Sequence, residues 1–218
     1  MADHVVFQSK RVQGMFSKAV RAKSTIILNP VDVKEERTES TAHRIVTVGR
    51  LNEQKNHKLL LSAFSRFSAE KPEYVLDIYG QGPMKDETED CIRSLGLTGK
   101  AFLRGFSSDV HKDIRDAEMF VLSSDYEGLS NALLEAMMMG MPCISTDCAG
   151  SDEVLKDGEN GLLVPVKDEE ALYKAMLSMA DDPALRERLG QAAKETSRSF
   201  HIDEVMKQWE QLLGTEAK

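Results

Sequence analysis

Cysteine is scarce in this chain: Cys91, Cys143 and Cys148 among 218 residues, an odd number with no Cys-x-x-Cys spacing. That excludes a disulfide-stapled scaffold and points to reduced thiols in a cytoplasmic protein. Aromatic residues make up only 6% and the formal net charge is −8, a poor basis for gripping nucleic acid. No run approaches the ~18 apolar residues of a membrane span. The opening Met1-Ala-Asp-His lacks the basic-then-apolar order of a secretory signal. Carboxylates are missing between Asp3 and Asp32, where Lys10, Arg11, Lys18, Arg21 and Lys23 stand alone. A basic face toward a membrane surface or an acidic partner is one reading. The solvated side of one amphipathic helix over Ser9–Val20, with Val12, Met15, Phe16, Ala19 and Val20 inward, is the favoured one.

Several ligand signatures are absent as well. Gly80-Gln-Gly82-Pro83 supplies two glycines of a dinucleotide fingerprint but not the third, which argues against an NAD site and so against a dehydrogenase. Gly99-Lys100 is followed by Ala101, so there is no P-loop. Gly128-Leu-Ser130-Asn-Ala132 lacks the closing glycine of a hydrolase elbow, and no Asp or His is placed to complete a triad. None of the five histidines has metal spacing. No Asp-x-Asp pair is present to hold a divalent ion on a pyrophosphate. No metal and no cofactor are expected.

What the chain does contain is an alternation of short apolar runs and helical periods. Strands are expected at Val5–Phe7, Thr25–Leu28, Ile45–Val48, Val75–Tyr79, Phe102–Leu103, Met119–Leu122, Cys143–Ser145 and Leu162–Val164. Helices are expected at Ser9–Val20, His57–Phe67, Met84–Leu95, Val110–Asp116 and Asn131–Met139. This is an α/β pattern of βαβ units, a Rossmann-like doubly wound parallel sheet. From about Glu169 the pattern is purely helical. Asp182-Pro183 opens one helix and Gly190 reads as its stop. The last helix carries a stripe of Ile202, Val205, Met206, Trp209, Leu212 and Leu213. Arg37–Ala42 is polar and aperiodic, as in a linker.

In such a sheet ligands bind beyond the carboxyl ends of the strands. There, Met119–Leu122 runs into a loop holding Glu127, and a helix opens near Ser130. Its unpaired N–H groups and positive dipole end suit a phosphate. Gly128 permits close backbone approach. Glu135, eight residues beyond Glu127, can accept two hydrogen bonds from a vicinal diol such as that of ribose.

These two glutamates, an E-x7-E spacing followed by Ala136 and Gly140-Met-Pro142, resemble the donor-binding motif of retaining glycosyltransferases with the GT-B fold. That large family is typified by bacterial lipopolysaccharide and exopolysaccharide enzymes. Ile45-Val-Thr-Val-Gly49-Arg50-Leu…Lys55, Tyr79-Gly80-Gln-Gly82-Pro83, Arg104-Gly105-Phe106 and Val154-Leu…Gly158-Glu-Asn-Gly161-Leu-Leu-Val164 also resemble family segments, from about Thr25 to the C-terminus. The resemblance implies a nucleotide-sugar donor, UDP-linked by preference and GDP or ADP otherwise. Arg50 and Lys55 would then lie on the pyrophosphate and neutralise the leaving nucleotide. Glu135 would hold the ribose and Glu127 the transferred sugar. Gly128, Leu129 and Ser130 would bind through backbone N–H, Gly49 would admit the donor, and Gly105 and Phe106 would border the base, unless Phe106 is core. Glu127, Arg50 and Lys55 are thus the catalytic candidates.

The family's two-domain plan sets the expected boundaries. Residues 1–40 would be the tail of a missing acceptor domain plus linker, and 41–198 the nucleotide-sugar-binding domain. Residues 199–218 would be a C-terminal helix docking on the acceptor domain. The chain would then be a fragment, nearly inactive alone, peripheral to a membrane at most, and prone to self-association through its last helix. The alternative is a binding subunit completed by an acceptor-binding partner chain.

Overall fold

The computed structural model describes residues 2–38 and 42–214. Its elements are, in order, β1 (Val5–Phe7), α1 (Lys10–Gly14), α2 (Lys18–Arg21), β2 (Ser24–Ile26), β3 (Arg44–Val48), α3 (His57–Glu70), β4 (Val75–Tyr79), α4 (Lys85–Ser94), β5 (Ala101–Gly105), α5 (Val110–Ile114), β6 (Met119–Leu122), α6 (Asn131–Met138), β7 (Cys143–Thr146), α7 (Ser151–Val154), β8 (Leu162–Val164), α8 (Glu169–Asp181), α9 (Pro183–Ser197) and α10 (Ile202–Leu213). Among the described residues no helix is long and apolar enough to cross a membrane.

The main sheet has the order β5-β4-β3-β6-β7-β8, and each neighbouring pair is parallel. The chain winds outward from β3 to β5, returns beside β3 as β6, and winds the other way. This is the doubly wound α/β arrangement expected from the sequence, and β3 and β6 mark its switch point. Neighbouring residues on each strand feed opposite faces. Ile45, Val121 and Ile144 join α3 (Leu60, Phe64, Phe67) and α8 (Leu172, Met176) in one core. Val46, Phe120, Leu122 and Cys143 join α6 (Leu133, Leu134, Met137) and α9 (Ala193) in the other. Cys143 is fully buried, and burial pushes its thiol far above the ordinary range, so it is a packing residue.

Two expectations need correction, and a third feature is resolved. The helix over Ser9–Val20 is broken. α1 ends at Gly14, a poor helix former, and the Ser17 side chain caps α2 by accepting from Val20 N. Its intended apolar face is largely uncovered, with Met15 76% and Phe16 47% exposed. Asp182 does cap α9 with Pro183 in the first turn, but Gly190 does not stop it. A Cβ at Gly190 would lie 2.4 Å from the Gly140 carbonyl oxygen, so this glycine lets α9 cross the end of α6. The α10 stripe also splits. Val205 is buried and Trp209 and Leu212 pack on the second core, whereas Ile202, Met206 and Leu213 stay exposed.

β1 and β2 form a separate two-stranded parallel sheet. It is tied to the main body by Arg11, paired with Asp147 at 3.2 Å, and by Lys10 N donating to Glu153 Oε1 at 2.6 Å. Reciprocal backbone bonds link Val31 to Phe200 and Ile202. Of the expected linker, Arg37 N and Thr38 N donate to Met139 O and Arg115 O, so these two residues lie along the domain. Residues 39–41 fall outside the described residues.

The helix crossing is directly testable. Gly190→Ala gains about 1 kcal/mol by helix propensity alone. Steric conflict with Gly140 should outweigh that and leave a net loss of about 1–3 kcal/mol in urea unfolding. A variant more stable than wild type would show that α6 and α9 have room to spare.

Candidate functional site

The loop after β3 is shaped by close backbone packing. A Cβ at Gly80, whose φ is +136°, would lie 1.9 Å from Gly49 O, and one at Gly82 would lie 2.2 Å from Leu51 O. Both positions therefore require glycine. The two loops are joined by Gly49 N to Tyr79 O (2.9 Å) and Leu51 N to Gln81 O (3.0 Å). The Gly-Gln-Gly-Pro turn is thus a seat for the Gly49–Leu51 segment. Asn52 then caps a single 3₁₀ turn, Glu53–Lys55, and Asn56, at φ 44°, caps α3 by accepting from Leu59 N. Lys55 is turned back across Gly49, where a Cβ would meet its Cε at 3.1 Å. Just beneath, burial and then Lys55 push His57 down to about 4, so it is neutral near pH 7.

The loop after β6 meets this turn across the switch point. Lys55 Nζ lies 2.6 Å from Glu127 Oε1, and their side chains are only 15% and 7% exposed. Ser124 Oγ donates to the same oxygen at 2.7 Å, and Gln54 Nε2 to Glu127 Oε2 at 3.1 Å. Further bonds join the two loops: Gln54 Nε2 to Tyr126 O (2.9 Å), Asn56 Nδ2 to Asp125 Oδ1 (2.7 Å) and Ser123 Oγ to Lys55 O (2.9 Å). Asp125 N also donates to Gln54 O at 2.8 Å. A buried carboxylate is costly unless paired and hydrogen-bonded, and Glu127 has both. Behind it, Gly150 (φ +90°) admits the Gly128 carbonyl, which a Cβ would meet at 2.3 Å.

α6 begins immediately after this loop. Ser130 occupies its N-cap position but makes no side-chain cap bond. It is 4% exposed, and its Oγ is buried without a partner. Leu129 is buried beside it. One turn further, Glu135 Oε2 lies 3.1 Å from His111 Nε2 on α5. That hydrogen bond outweighs desolvation and raises the His111 pKa.

At the neighbouring edge Gly105 (φ +74°) accepts from Gly80 N at 2.8 Å. Phe106 is 74% exposed, so it is not core. The fully buried Asp77 on β4 accepts from Arg104 Nε at 2.7 Å and from Arg44, fixing the strand end from which Phe106 projects. A cleft of about 290 Å³ lies there, lined by Leu51, Gly80, Gly82, Lys85, Arg104 and Gly105 among others.

The structure therefore brings Gly49, Lys55 and Glu127 into direct association. Gly128, Leu129 and Ser130 form the approach to α6, and Glu135 lies within that helix. Arg50 is exposed, with no ion-pair partner among the described residues. Ser124, Gln54 and His111 were not singled out by the sequence. Their types are unremarkable, and only the meeting of distant segments gives them work. Among the described residues no group of three or more His, Cys, Asp or Glu could hold a metal ion.

Comparison with known proteins adds a consistent set of similarities. The family described as "Glycosyl transferases group 1" matches residues 30–196. The chain is 34% identical over 185 residues to the Campylobacter jejuni N-acetylgalactosamine-N,N'-diacetylbacillosaminyl-diphospho-undecaprenol 4-alpha-N-acetylgalactosaminyltransferase, covering 82% of this chain and 50% of that protein. It is 31% identical to the Rhizobium meliloti lipopolysaccharide core biosynthesis glycosyltransferase LpsE, covering 76% and 48%. The chain spans about half the length of these curated relatives. In fold it is similar to Anabaena HepE, solved with UDP and glucose (TM-score 0.89, 19% identity, 98% of this chain and 63% of that one). It is also similar to Staphylococcus aureus TarM, solved with UDP among its ligands (TM-score 0.87, 20% identity, 96% and 43%).

The Lys55–Glu127 pair yields a stability prediction. Lys55→Met strands a buried carboxylate and should cost about 3 kcal/mol, the low end for a broken buried pair because Ser124 and Gln54 still donate. The double variant with Glu127→Gln should recover at least ~1 kcal/mol of the summed single losses in a double-mutant cycle. Strict additivity would mean that the pair is uncoupled.

Proposed function

Because this chain belongs to the glycosyl transferases group 1 family, we propose that it forms the nucleotide-sugar-binding half of a glycosyltransferase, with the donor lying across the β3–β6 crevice. The observation that carries this reading is the convergence, at one switch point, of Lys55, Glu127 and the start of α6, with Glu135 a turn inside the helix. The donor's diphosphate lies against the first turn of α6, where the backbone N–H groups of the helix start are free of intrahelical acceptors. Exposed Arg50 closes over the distal phosphate, and Lys55 shares its charge between that phosphate and Glu127. Glu135 accepts from the ribose diol. Gly105 and Phe106 border the base, Glu127 meets the transferred sugar, and Gly128 to Ser130 contribute backbone N–H groups.

In the reaction the bond between the sugar's anomeric carbon and the distal phosphate oxygen breaks, and its electron pair leaves with the nucleoside diphosphate. The acceptor hydroxyl oxygen forms the new bond, with retention of configuration, and its proton is taken up by the departing phosphate. Two side-chain cations and the helix terminus stabilise that charge, so the reading requires no resident metal. UDP is the favoured nucleotide, supported by the UDP complexes of HepE and TarM.

Relatives about twice as long support a second, acceptor-binding half, with residues 1–40 at its boundary and α10 reaching toward it through Ile202, Met206 and Leu213. Transfer requires donor and acceptor held within about 3–3.5 Å, so these 218 residues alone are proposed to bind donor without efficient transfer. Free thiols at Cys91, Cys143 and Cys148 favour a cytoplasmic site of action, with membrane contact only at the periphery.

Titration calorimetry separates the assigned roles. Losing a hydrogen bond to a charged group costs ~1.5–3 kcal/mol, so Glu135→Ala should weaken UDP and UMP alike, roughly 10- to 100-fold. Arg50→Ala should weaken UDP far more than UMP, because its target is the distal phosphate. Equal losses for Arg50→Ala would remove it from the phosphate site.

A further inference from the structure

Half of Glu135 is already engaged before any ligand arrives. Its Oε2 is bonded to His111 Nε2 at 3.1 Å, while Oε1 has no hydrogen-bond partner among the described residues. The two side chains keep 28% and 27% of their surface in solvent, so the pair is shielded yet reachable. The partners come from separate elements, His111 from the five-residue α5 and Glu135 from the buried helix α6. The contact therefore fixes a flexible glutamate side chain to a second anchor.

The geometry points to His111 as a positioning residue for the nucleoside: it pins one oxygen of Glu135 so that the other is held ready for the ribose diol, and it makes donor binding pH-dependent. This inference rests on the donor-site reading given above. An unanchored glutamate would have to surrender rotamer freedom on binding, whereas an anchored one has done so during folding. His111 acts through Glu135 and needs no contact with the ligand.

The direction of the pH effect follows from the charges around the ring. Glu135 faces it from α6, Asp109 from the turn before α5, and Glu35 from the segment following β2, where Glu35 is also paired with Arg115 at 3.2 Å. The hydrogen bond to Glu135 leads in raising the His111 pKa above its ordinary value, with these charges adding to it. An anionic nucleotide beside the pair favours the imidazolium further, so binding takes up a proton. Donor affinity is accordingly higher where His111 is charged, and falls as pH rises through its raised pKa.

Two measurements on the full chain test this. In the first, the His111 ring is titrated by NMR without ligand, in wild type and in Glu135→Gln. The pKa should drop toward the ordinary value in the variant, and an unmoved pKa would overturn the pairing. In the second, calorimetry from about pH 5.5 to 8.5 uses UDP-, GDP- and ADP-glucose, whose diphosphate diesters do not titrate in the range where histidine does. At the acid end His111→Ala should weaken the best-bound of these roughly tenfold. His111→Gln, whose amide can still donate, should recover most of that affinity with a flat pH profile. Wild-type affinity in His111→Ala, or an unchanged pH slope in His111→Gln, would overturn the positioning role. If the ring titrates as expected but wild type binds none of the three, the donor-site reading has failed and the positioning role falls with it.

Discussion

The buried carboxylate of Glu127 is the constraint around which the crevice is arranged. At 7% exposure it cannot rely on water, and its partners come from two loops that meet only because β3 and β6 are neighbours in the sheet. Lys55 and Gln54 supply bonds from one side and Ser124 from the other. Those bonds require the Glu53–Lys55 turn to be seated deeply, and Gly49, Gly80 and Gly82 make that possible by leaving out the atoms that would collide. The order reversal of the sheet, the glycine packing and the ionic pair are therefore one structural solution.

This arrangement divides the crevice into prepared and available groups. Glu127, Lys55, Gln54 and Ser124 satisfy one another and hold the loops in register. Arg50 and the Ser130 hydroxyl have no such partners among the described residues, and Glu135 is engaged through one oxygen only. Groups left unsatisfied in an otherwise well-paired region are where a polar ligand gains most.

Much of this was legible in the sequence. Leu162–Val164 and Met119–Leu122 read as strands because residues covered on both faces must be apolar throughout. Glu127 and Glu135 were singled out by their places after a strand end and inside the following helix, and Lys55 only through the resemblance of its segment to the family's. The failures differ in cause. Gly190 carries the local signal of a helix stop, but its purpose is a contact with Gly140, fifty residues away along the chain. The 9–20 segment has a helical period, yet Gly14 and Ser17 divide it. The α10 stripe could not be apportioned between its own domain and solvent without knowing where Phe200 and Val31 place the helix. His111 was invisible because its meaning lies wholly in the residue it meets.

The central claim is that this crevice binds a nucleoside diphosphate using side-chain cations and a helix terminus. The most direct measurement is the melting temperature of the chain with millimolar UDP, GDP or ADP in the presence of EDTA, since a ligand that binds only the folded state must raise it. The account predicts a clear rise with at least one of the three, largest with UDP, and none with the free base. No shift with any nucleotide or its sugar conjugate would contradict it.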